Sequence, residues 1–185
     1  MLIARRVNLL ILILSTVLGR EQLLAQTPKV VTCRQATTTR PENGVAYRGD
    51  VKIDDYKFAA NVPKGLTGWG GVAPNAPFHG FTMLLDQSLR SCILFEVHLR
   101  VDDVGGPIHS DLAKPLLLGQ AKAWQVSRSA STAAGDLTNI KTSFTFEHDG
   151  QIDDGEVVLI TPSAGQRDAV YLYEEFLKSV HFGEY

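Results

Sequence analysis

Residues 92–101 alternate without a break. Ile93, Phe95, Val97, Leu99 and Val101 fall on one side, and Cys92, Leu94, Glu96, His98 and Arg100 on the other. A period of two over ten positions is the pattern of a β-strand, because successive side chains project to opposite faces of a sheet. The polar members of the second set imply a face that is partly wet. Asp102-Asp103 and Gly105-Gly106-Pro107 end the run. A strand of this kind needs partners on both edges and a layer to cover its apolar side.

Partners are available on either side of it. Val51 and Ile53 share one phase, and Tyr56, Phe58, Ala60 and Val62 alternate in the other, with a turn or bulge at Asp54-Asp55. Phe81, Met83 and Leu85 line one face of a strand opened by Gly80. Residues 121–126 are a weak strand containing Trp124. Ile140, Thr142, Phe144 and Phe146 mark another, and residues 156–161 a further one. His148-Asp149-Gly150-Gln151 carries the Asp-Gly signature of a tight hairpin. Residues 111–118 read as a short helix interrupted by Pro115. The chain closes with a helix in which Ala169, Leu172, Tyr173, Phe176, Leu177 and Val180 recur at three- and four-residue spacing, with Asp168 or Ser163 as its cap. The expected class is α+β: a mainly antiparallel sheet with the C-terminal helix packed on one face.

The N-terminus differs in kind. Arg5 and Arg6 precede residues 7–18, which are apolar except at Asn8, Ser15 and Thr16, and a polar stretch leads to Ala25. This is the three-part pattern of a secretory signal, too short for a comfortable membrane span. Cleavage after Ala25 is expected, and Leu23, large for its place, leaves an uncleaved anchor as the alternative. Residues 30–32 lack the small side chains a lipoprotein signal needs before Cys33, and Asn8 is misplaced for twin-arginine export. The organisation expected is a signal over 1–25, an extended Thr- and Pro-bearing arm over 26–43, and one globular domain over 44–185. The exported product would be periplasmic or extracellular, with no stable membrane insertion after cleavage.

Without Arg5, Arg6, Arg20 and Glu21, the chain's 18 basic and 20 acidic residues fall to 15 and 19, a net charge of −4. Nucleic-acid binding demands the opposite bias, so that partner class is excluded. Cys33 and Cys92 are the two cysteines. In an oxidising compartment an isolated pair is expected to be bridged, and with two the connectivity is fixed.

Two stretches carry a family likeness. Tyr56-Lys57-Phe58 followed by Val62-Pro63-Lys64-Gly65-Leu66 resembles the opening strand and proline-glycine turn of PsbP-like exported or lumenal proteins, and residues 176–182, FLKSVHF, resemble the family's closing helix. The resemblance covers under a quarter of the chain. It implies an α/β/α sandwich and a binding or assembly role without catalytic residues.

Motifs that could carry chemistry fail on their surroundings. Residues 68–73 match the letters of a dinucleotide fingerprint, but Pro74 and Pro77 follow where a helix must start, so no such cofactor is expected. Glu96, His98 and Arg100 share one strand face and could hold a metal or anion; their plain reading is the solvated half of an amphipathic strand. Glu147, Asp149, Asp153, Asp154 and Glu156 crowd ten residues, yet Asp154 stands where a calcium loop needs Gly and Ile160 where it needs Glu. No catalytic residue and no metal site is expected. Residues 63–80, with five glycines and three prolines, read as a long irregular loop bearing Trp69, Phe78 and His79. That loop makes a non-enzymatic binding protein for a protein or small ligand the first expectation. A small hydrolase or metal-dependent enzyme using His79, His98 and Glu96 is the alternative. Clustering of those histidines with an acid in one pocket would favour the enzyme, and an exposed Trp69–Phe78 rim the binder.

Overall fold

The computed structural model describes residue 33 and residues 45–53, 57–70, 80–86, 90–99, 113–148 and 150–183. All lie in the compact unit formed by residues 31–185. The signal over 1–25 and the rest of the arm over 26–43 fall outside the described residues.

The described residues form eleven strands and one helix. The strands are β1 (Val45–Tyr47), β2 (Gly49–Ile53), β3 (Phe58–Val62), β4 (Gly68–Gly70), β5 (Gly80–Leu84), β6 (Cys92–Leu99), β7 (Lys114–Leu118), β8 (Ala121–Thr132), β9 (Gly135–His148), β10 (Gln151–Pro162) and β11 (His181–Phe182), and the helix is α1 (Arg167–Ser179). Eight strands build one sheet in the order β1-β4-β5-β6-β10-β9-β8-β7, and β11-β3-β2 build a second. Every pairing is antiparallel.

This corrects the expected class. The molecule is a β-rich fold, not a balanced α+β or α/β/α sandwich, because two segments read otherwise are strands. Residues 114–118 pair with β8 from Lys114↔Gln125 to Leu118↔Ala121 instead of forming a helix. A short apolar run does not distinguish helix from strand by its period, and here the neighbouring strand decides. Pro115 is tolerated because β7 is an edge strand. Residues 68–70, inside the expected loop, pair with β5 and β1.

The long strand falls where its alternation places it, between β5 and β10. Ile93, Phe95 and Val97 are fully buried on the inner face. Helix α1 and the small sheet cover that face. Phe95 is the hub, its ring 4.8 Å from Phe58, 5.4 Å from Phe81 and 5.8 Å from Phe176, centroid to centroid. Phe182 on β11 stacks 4.3 Å from Phe146. From α1 come Ala169, Tyr173, Phe176 and Leu177, the stripe its spacing specifies. Neither Asp168 nor Ser163 caps the helix: Gln166 holds the N-cap position without a side-chain bond, and Ser163 pairs with Thr138 at 3.0 Å.

The outer face is not wholly wet either. Cys92, Leu94, Val158, Ile160 and Leu137 form a second buried cluster there with Cys33. Cys33 and Cys92 are bridged, as expected, with Cα atoms 5.7 Å apart. The bond draws Cys33 onto the middle of the sheet, and both residues are at most 1% exposed.

One contact in this packing is tight enough to test. A Cβ on Gly155 would lie 2.3 Å from the Phe144 ring, so β10 passes under that ring only as glycine. Gly155→Ala should destabilise the fold by about 1–3 kcal/mol, the usual range for overpacking. A melting temperature unchanged in that variant would show that the ring moves aside freely.

Candidate functional site

Of the residues singled out from sequence, Trp69, Glu96, Cys33 and Cys92 lie among the described residues. Trp69 lies in β4 and not in an irregular loop, half-buried on the outer face, with Ala46 and Thr82 as its backbone neighbours. The glycines beside it have a packing role. A Cβ on Gly68 would meet the Phe81 ring at 2.7 Å, and one on Gly70 the Tyr47 ring at 2.8 Å, so two aromatic rings lie directly on this strand. Phe78 and His79 lie outside the described residues, as does the side chain of His98. The His98 backbone is paired with Asp154. Glu96 is half-buried on the outer face of β6, opposite Glu156 of β10, and Glu156 forms an ion pair with Lys141 of β9.

The acidic run is divided by the pleat. Asp153 points inward and is fully buried, whereas Asp154 and Glu156 point outward. Asp154 accepts a hydrogen bond from the Thr145 hydroxyl at 3.0 Å. Residues adjacent in sequence thus serve opposite faces, and Asp149 lies outside the described residues. Among the described residues no three His, Cys, Asp or Glu side chains gather as a metal set.

Beneath α1 runs a buried polar chain. The Tyr173 hydroxyl donates to the Val157 carbonyl at 3.0 Å and pairs with the Thr142 hydroxyl at 2.7 Å, which accepts from the Gln125 amide at 3.1 Å. One phenol thereby ties the helix to β8, β9 and β10. Burial, opposed by these hydrogen bonds, pushes its pKa far above the ordinary 10.0.

A groove opens at the β7 edge of the large sheet. It measures about 360 Å³ and is lined by Pro115, Leu116, Leu117, Lys122, Ala123 and Trp124. By register Pro115 and Leu117 of β7 share the outer face with Lys122 and Trp124 of β8. Leu117 is 75% exposed, the most exposed large apolar side chain among the described residues. The volume falls at the low end of ligand pockets, roughly 300–1,000 Å³. Sequence reasoning missed this groove. Its only signals were the isolated Trp124 and a proline beside three leucines, which a helix would have dispersed around its axis.

No protein-family model matches the chain, and no curated protein matches it in sequence. Among solved structures it is similar to LpqN, a protein involved in cell envelope biogenesis of Mycobacterium tuberculosis. The TM-score is 0.51 and the identity 13%, over 83% of this chain and 98% of LpqN. A protein of Bacteroides thetaiotaomicron VPI-5482 matches with a TM-score of 0.48 and 10% identity, over 74% of this chain and 49% of that one. The first likeness shows a shared fold and nothing finer, and the second carries no argument. Neither match names the PsbP-like family; what is supported is a fold held in common with an envelope protein.

Tyr173 provides a test of the buried chain. Its folded pKa is raised, so its contribution is complete below pH 10, the unfolded value, and is eroded as the pH climbs from there toward the higher folded value. Tyr173→Phe should cost about 1 kcal/mol at neutral pH and show a shallower loss of stability above pH 10 than the parent. Parallel alkaline curves for the two proteins would place the titration elsewhere.

Proposed function

We propose that this chain is an exported, non-enzymatic binding protein of the cell envelope. The observation that carries the reading is the bridge between Cys33 and Cys92, fully enclosed at the centre of the sheet. Such bonds form and persist in oxidising compartments, and residues 1–25 have the pattern that would take the chain to one. The fold shared with LpqN, an envelope-biogenesis protein, agrees with that destination. Among the described residues no helix is long and apolar enough to cross a membrane.

In this reading the segment over 63–80 engages a protein or small ligand, with Trp69 of β4 as the aromatic contact and Phe78 and His79, outside the described residues, as the other contacts expected from sequence. A half-buried tryptophan held by a paired strand is a suitable anchor, since little side-chain freedom remains to be lost on binding. Export is tested by fractionating cells that express the full chain and weighing the product. The protein should appear in the exported fraction with its N-terminus at or near Gln26. Recovery in the cytoplasm with Met1 retained would overturn the proposal, and recovery at the membrane with Met1 retained would make residues 1–25 an anchor.

A further inference from the structure

The β7–β8 hairpin differs in charge from the rest of the chain. Residues 114–132 contain Lys114, Lys122 and Arg128 and no Asp or Glu, in a protein with more acidic than basic residues. All three cations are exposed. Lys122 and Arg128 alternate with Trp124 and Val126 on the outer face, and Lys122 stands beside Leu117. The carboxylates of that face, Glu147 on β9, Glu96 on β6, and Asp154 and Glu156 on β10, all lie off the hairpin. The sheet is thus cationic and apolar at one edge and acidic toward its centre.

We infer that this edge docks onto an anionic lipid surface. Leu117, Pro115 and Trp124 supply the apolar wedge, and Lys122 and Arg128 supply contacts to headgroups. The inference rests on the envelope location proposed above. Tryptophan suits the boundary between headgroups and acyl chains because its ring is apolar with one polar N–H. Lysine stems lie along apolar surface while their ammonium groups stay in water. A partner strand is the weaker occupant: Pro115, second in a five-residue edge strand, lacks a backbone donor, so pairing by strand addition lacks a continuous ladder. Docking of this kind is peripheral and needs no spanning segment.

The experiment is co-sedimentation of the protein, purified with whatever N-terminus the cell leaves on it, with vesicles of phosphatidylcholine alone and of phosphatidylcholine mixed with phosphatidylglycerol. Binding is expected to the mixed vesicles, to be much weaker on the neutral ones, and to fall as salt is raised. Lys122→Gln and Arg128→Gln should each weaken it about fivefold, the effect of one basic residue near an anionic surface. Leu117→Glu should abolish it with an unchanged melting temperature, because the side chain is exposed. Tyr171→Glu, which removes another exposed apolar group at a site on α1 that is 60% exposed, should bind as the parent does. Equal binding to neutral vesicles, or full binding by Leu117→Glu, would overturn the assignment. So would capture of a polyglutamate peptide without any vesicle binding, which would give the edge an acidic protein partner. These readouts use purified protein, so their failure is separate from a failure of export.

Discussion

The strands β6 and β10 are apolar on both faces where they meet, and the rest of the structure follows from the need to cover both. Ile93, Phe95, Val157 and Leu159 look inward, and Cys92, Leu94, Val158 and Ile160 look outward. A sheet buried on both sides needs two covering layers. Helix α1 and the small sheet supply one. On the other face Cys33 is held against the sheet by a covalent bond. Closing a loop with a sequence separation of 59 restricts the unfolded chain by roughly 4 kcal/mol in the chain-entropy model. The same bond holds Cys33 against the apolar centre of the outer face.

Away from that centre the outer face becomes polar and its charges segregate. Glu96 and Glu156 stand opposite each other, an arrangement that is costly unless neutralised, and Lys141 from β9 pairs with Glu156. Farther out, the charged residues of β7 and β8 are all cations. The inner face follows a different rule. There the Tyr173 hydroxyl meets Thr142 and the Val157 carbonyl.

Much of the fold was legible in the sequence because burial imposes a period. The strand over 92–99, the helical stripe from Ala169 to Val180, and the hairpin between His148 and Gln151 all appear where the pattern places them. The second half of β8 was not legible, since Ser127, Arg128 and Ser129 are exposed and leave no apolar trace. Strand β4 was hidden because its glycines, read as loop signals, are required by the rings of Phe81 and Tyr47. Of the candidate site, Trp69 was picked out for a loop it does not occupy. The β7 groove was invisible because its residues meet only through the pairing of β7 with β8.

The central claim is that the bridge is formed in the exported protein and that the fold depends on it. The direct measurement is thiol alkylation of the exported protein without reductant, together with its unfolding free energy before and after reduction. The account predicts that neither Cys33 nor Cys92 is labelled, and that reduction lowers stability by up to about 4 kcal/mol. Labelling of either cysteine in the unreduced protein, or a stability indifferent to reduction, would contradict it.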